Sequence, residues 1–174
     1  MSTKSLTGGN VNSYLKHFLS TDARSNALLY QRVMLGAVMF PHGAQKLLGW
    51  FGGYGMSATI EYFVSYYHVP APIAFLVVLG ESVGALMLVL GLGTRFAALG
   101  ISLIMAGAAL SHLSVGFFMN WFGNQSGEGF EYHLLALGLV LVVMFKGAGR
   151  YSLDAALASA VERGLVTSKS AEAA

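Results

Sequence analysis

The sequence predicts an all-α protein, a four-transmembrane-helix bundle with short interfacial helices. Three observations predict it. Of the 174 residues, 55% are hydrophobic and 10% charged, against about 25% charged in soluble domains, so much of the surface must itself be apolar. Four apolar stretches are each about long enough to cross a bilayer. The segments between them are rich in Gly and aromatic residues, which suits membrane-interface loops.

The same composition excludes several function classes. A net charge of +2, with Lys and Arg spread along the chain, does not suit nucleic acid. The chain has no cysteine, so it forms no disulfide, no Cys-ligated zinc or iron–sulfur site and no thiol relay of its own. The first long apolar run begins near Ala27 without a small-residue cleavage pattern after it, and reads as a retained helix.

Three regions follow: a cytoplasmic segment over 1–25 with an amphipathic helix, a membrane domain over 26–150, and a short cytoplasmic helix and tail over 151–174. In the first, Val11, Tyr14, Leu15, Phe18 and Leu19 repeat at helical spacing, with Asn10 as N-cap. That helix suits either the membrane face or the end of the bundle. The first span runs from about Leu28 to Leu48. Arg32, one turn from its start, is expected to reach the headgroups, and Pro41 is expected to kink the helix before His42. A short interfacial helix follows within 52–70, carrying Tyr62, Tyr66 and Tyr67 as belt residues.

The second span runs from about Pro72 to Leu90. Its one ionisable residue is Glu81, flanked by Gly80 and Gly84 in a pattern that lets a neighbouring helix approach. The third span runs from about Phe96 to Phe117, with Gly100 and Gly107 a heptad apart and His112 near its far end. An aromatic loop over 116–130 leads to the fourth span, about Glu131 to Phe145. Ser152 is a candidate cap for a helix ending near Arg163, with a free tail beyond it. Four spans place both termini on one side. Lys4, Lys16, Arg24, Arg32, Arg95, Lys146, Arg150, Arg163 and Lys169 fall on that side and Lys46 on the other, so the positive-inside rule makes the termini cytoplasmic.

Depth decides which polar groups can meet. At about 1.5 Å per residue, His42, His112 and His133 lie roughly 21, 24 and 20 Å above the inner ends of their helices. They share one level in the outer half of the membrane. Glu81 lies a turn deeper, at about 14 Å, and Lys46 is one turn above His42 on the same face. Ionisable groups inside a membrane segment are costly and mark functional sites. Glu81 is therefore either a protonated donor or half of a pair with His42, Lys46 or Arg32. Bland readings stand beside this. Gln45 and Lys46 also suit the membrane edge. His112 suits a core histidine bonded to a carbonyl. His133, two residues from the loop, suits the interface better than ligation.

The order of these motifs resembles the DoxX family of small four-helix membrane proteins. The resemblance rests on His42-Gly43-Ala44-Gln45-Lys46, Gly80-Glu81, Gly91-Leu92-Gly93-Thr94-Arg95, His112, Gly129-Phe130-Glu131-Tyr132 and the run from Gly147 to Asp154. The family has Gly-Pro-Gly where this chain has Gly147-Ala148-Gly149, and His133 is not part of the pattern. The resemblance implies a multi-pass protein of the bacterial inner membrane, linked to quinone-dependent oxidoreductases, oxidative stress and quinone detoxification.

Four functions are then open, one of them transport of a small molecule past the polar cluster. In a quinone-linked oxidoreductase subunit, Glu81, His42 and Lys46 handle protons, and His42, His112, Gln45 and Arg32 hold the quinone. In a haem or metal electron carrier, His42, His112 and His133 are the candidate ligands. In a non-enzymatic anchor or assembly partner of a soluble redox protein, the polar cluster is internal glue. Lipid is a partner in every case.

Overall fold

The computed structural model describes residues 21–172, with side chains to residue 163. Six α-helices carry the fold, and no strand occurs among the described residues. They are α1 (Asn26–Leu48), α2 (Gly55–Tyr66), α3 (Ala71–Leu90), α4 (Thr94–His112), α5 (Glu131–Lys146) and α6 (Leu153–Glu172). A 3₁₀ turn over Trp50–Gly52 joins α1 to α2. The expected helix over 11–19 lies outside the described residues.

Helices stand at all four expected span positions. Two of them, α3 and α4, are long and apolar enough to cross a membrane. Both carry more outward-facing than buried residues in their most apolar windows, as lipid-facing helices do. α1 has 23 residues but includes Arg32 and Lys46, and α5 has only 16.

Four helices form the bundle. α1 packs on α3, α3 on α4, α4 on α5, and α5 returns to α1, so α1 and α4 stand diagonally. α2 rests on α1 and α3. The buried residues of α1 (Leu28, Arg32, Leu35, Gly36, Met39, Gly43) recur every three or four positions, one stripe facing the centre. Leu35, Met39, Leu88, Ile101, Met105 and Val140 meet there in a single core.

α1 and α3 make the closest crossing. A Cβ at Gly43 would run into the backbone of Glu81 and Ser82, and one at Gly36 into the carbonyl of Ala85. Small residues at such crossings let backbones touch, which stabilises helix pairs in lipid. Gly80 and Gly84 face Ile104 and Ile101 of α4, as their spacing suggests. Gly100 and Gly107 face open space.

α1 continues through Pro41 to Leu48. The structure corrects three expectations. α4 ends at His112, not Phe117. The carbonyls of Gly116 and Phe117 instead accept the N–H groups of Phe130 (3.2 Å) and Glu131 (2.9 Å), folding the loop onto the start of α5. α6 continues to Glu172, where a tail was expected. Arg32 does not snorkel: it is 1% exposed.

The two ends of the bundle differ in chemistry. The histidine end gathers the end of α1, His112 and the start of α5. The arginine end gathers Arg32, the α3–α4 turn and residues 147–154.

Candidate functional site

At the histidine end, Lys46 and Glu81 form an ion pair between α1 and α3. The close crossing explains it. Gly43 seats α1 on the Glu81 backbone, and Lys46, three residues on, shares that face of the helix. Glu81 is 5% exposed, while the Lys46 side chain keeps 28%. The Lys46 ammonium also sits in the last turn of α1, where the helix dipole favours a cation. Among the three partners open to Glu81 in the sequence, the structure shows Lys46.

A row of rings continues from this pair. Tyr132, the second residue of α5, lies within electrostatic range of Glu81, and its hydroxyl meets the Met39 sulfur at 3.5 Å. The His42 ring is 6.2 Å from the Tyr132 ring, and Tyr132 is 5.7 Å from His133. His133 stacks on His112 at 5.0 Å with planes 16° apart. Nδ1 of His133 is buried without a hydrogen bond of ordinary geometry among the described residues. These ring contacts and the ion pair bring side chains of α1, α3, α4 and α5 to one end of the bundle. His42 is the exposed member of the row.

The common depth inferred for the three imidazoles corresponds to this row. His112 and His133 converge, and His42 stands on the far side of Tyr132. Among the described residues no group of three or more His, Asp or Glu side chains is placed to hold a metal ion. Gln45 turns away from the cluster and donates to the Phe51 carbonyl at 3.2 Å, bracing the turn after α1.

Arg32 sits at the other end. Its Nε donates to Ala148 O (2.7 Å). One terminal nitrogen donates to Leu88 O (2.9 Å) and Val89 O, the other to Arg150 O (3.1 Å) and Tyr151 O (2.6 Å). A guanidinium has five N–H donors, and each has a carbonyl here. Two of those carbonyls belong to the open end of α3, where the dipole is negative. Gly91 follows with φ +66, and a Cβ there would meet Ser152 and the Arg32 guanidinium. Arg32 is thus a clasp between α1, α3 and the segment after α5.

Asp154 completes that clasp; in the sequence it stood only as the end of a family motif, with no role assigned to it. It is 5% exposed. Its carboxylate accepts from Gly93 N (2.7 Å) and Thr94 N (2.9 Å), at the positive start of α4. Its own N–H donates to Gly91 O at 2.8 Å. Nothing in chain order joins residue 154 to residue 94; the available signal was one acidic side chain in an otherwise apolar first turn.

Comparison with family models gives one match, described as DoxX, over residues 27–119. That is more than half of the chain. The chain belongs to the DoxX family. The matched region of this DoxX protein takes in α1 through α4 and therefore Arg32, His42, Lys46, Glu81 and His112. Tyr132, His133 and the segment 147–154 lie beyond it. No curated protein and no solved structure matches the chain. Family membership and the two apolar helices point to a membrane and hence to contact with lipid.

Proposed function

We propose that this DoxX protein is a quinone-linked redox subunit of the bacterial inner membrane, and that its histidine-end cluster exchanges protons with a quinone head group. The observation that carries the reading is the Lys46–Glu81 pair with Glu81 buried inside an apolar bundle. Such a pair is a costly way to join two helices, and polar groups at membrane depth mark sites of proton or ion movement. The partly exposed Lys46 opens it to the exterior, with the exposed His42 one turn away on the same helix.

In this reading α1, α3, α4 and α5 all span, with α5 completing about 24 Å of rise. Both termini then face the cytoplasm and the cluster lies in the outer half. A quinone approaches from lipid along the α1–α5 face beside His42. Two electrons from a reduced partner protein and two protons convert quinone to quinol. The Lys46–Glu81 pair delivers one proton and His42 the other, and water at the exposed edge refills both. The chain carries no flavin or nicotinamide motif, so the electrons enter from the partner.

The test replaces Glu81 with Gln and follows quinone-dependent turnover alongside protein abundance in membranes. Loss of general acid–base chemistry should lower turnover per folded protein roughly 100-fold or more, well beyond any fall in abundance. Full turnover in Glu81→Gln removes Glu81 from the mechanism.

A second reading has its own observation. Lys46–Glu81 ties α1 to α3 and Arg32 ties α1 to α3 and residues 148–151, so these polar groups serve the fold directly. A membrane anchor for a soluble redox protein needs no more. In that case abundance and activity fall together in Glu81→Gln, in proportion.

A further inference from the structure

Among the described residues, α6 makes no extensive packing against another helix. Its start is nevertheless fixed. Ser152 Oγ accepts from Ala155 N at 3.2 Å and caps it, and the Asp154 carboxylate holds it under the first turn of α4. α4 is one of the two helices long and apolar enough to cross a membrane, so Asp154 pins α6 at the end of an apolar span.

Asp154 also marks a face. Its side chain points into the end of the bundle, and residues three, four and seven positions on share that side of a helix. Those residues are Leu157, Ala158 and Val161, all apolar. Ser159 and Arg163 fall on the opposite side. Leu157 is 47% exposed and Leu153 44%, while Ala158 and Val161 are half-buried, so the described bundle leaves the Leu153–Leu157 edge of this face open. At the same end of the bundle the apolar side chains of Leu90, Phe96 and Phe145 are exposed as well. The exposed Tyr151, with the Arg150 guanidinium 4.5 Å above its ring, stands at the junction. An aromatic ring paired with a basic group suits the headgroup layer.

We propose that α6 is an interfacial helix: it lies on the membrane surface at the arginine end, with Leu153, Leu157 and Val161 turned into the lipid. An amphipathic helix seated this way buries its apolar face at the boundary between headgroups and acyl chains. The Arg32 and Asp154 clasp then carries a second role, since it sets the depth and direction at which the helix meets that boundary.

The chain has no native cysteine, which makes the test direct. Single spin labels are placed on the full chain through Leu157→Cys, Ser159→Cys, Val161→Cys and Arg163→Cys. The protein is reconstituted in vesicles of phosphatidylethanolamine and phosphatidylglycerol. Collision with oxygen, which concentrates in lipid, is compared with collision by a water-soluble nickel chelate. The expected pattern alternates: positions 157 and 161 favour oxygen several-fold, and positions 159 and 163 favour the chelate. Equal chelate access at all four positions, as for a helix projecting into water, overturns the proposal. Shielding of 157 and 161 from both reagents also overturns it, because it places protein rather than lipid on that face.

Discussion

Glu81 and Lys46 form one unit, and their energetics should show it. Removing either partner leaves a charge in the bundle, which costs about 3–5 kcal/mol for a fully buried pair; the exposed edge of Lys46 reduces this. Replacing both removes the unpaired charge. Lys46→Met and Glu81→Gln should each lower the melting temperature in detergent more than the double variant does. Additive losses would show that the two side chains do not depend on each other. Arg32 gives the second prediction at this scale. Lysine keeps the charge but has three donors on a flexible stem in place of a five-donor fork. Arg32→Lys should leave several of the carbonyls of Leu88, Val89, Ala148, Arg150 and Tyr151 unmatched and reduce folded protein sharply; wild-type melting would contradict the clasp. In the sequence, Glu81 was legible because its depth is unusual. Its partner was not, because helix rotation decides the pairing. Arg32 was misread because its distance from the helix start suited a snorkelling side chain, whereas the carbonyls that receive it come from residues more than fifty positions away.

Among the elements, the α1–α3 crossing carries the site. A methyl at Gly43 meets backbone, which cannot yield as a side-chain tip can. Gly43→Ala should therefore force the helices apart, cost about 1–3 kcal/mol and separate Lys46 from Glu81. Gly107 is the control. A Cβ there meets nothing, so Gly107→Ala should be neutral or raise stability by up to about 1 kcal/mol through helix propensity. Equal effects in the two variants would contradict the crossing. At the start of α4, Asp154→Asn keeps the shape and loses the charge against the helix dipole. A loss of about 1 kcal/mol is expected, read as a lower melting temperature. The helix positions were legible because long apolar periodicity is a strong local signal. The end of α4 and the length of α6 were not. Loop carbonyls captured from across the 113–130 connection decide the first, and the sequence from residue 164 onward lacks the apolar spacing that announces the second.

For the whole molecule, the sequence made the membrane character plain through composition alone, and family membership agrees with it. Convergence was only half legible. Counting depth along each helix placed the three histidines on one level, but only packing shows that His133 meets His112 while Tyr132 stands between His133 and His42. The division into a histidine end and a clasp end follows from Lys46–Glu81 and Arg32 lying towards opposite ends of one α1–α3 pair. Both tryptophans, Trp50 after α1 and Trp121 after α4, lie in the loops of the histidine end. They can therefore report on a quinone bound there. The direct measurement is quenching of tryptophan fluorescence in the purified protein by a short-chain quinone, in wild type and in the Lys46→Met/Glu81→Gln double variant, with folding checked by melting. Saturable quenching in wild type, and at least tenfold weaker binding in the folded double variant, about 1.4 kcal/mol, is the predicted result. Equal affinity in the two proteins would contradict a quinone site built on this pair.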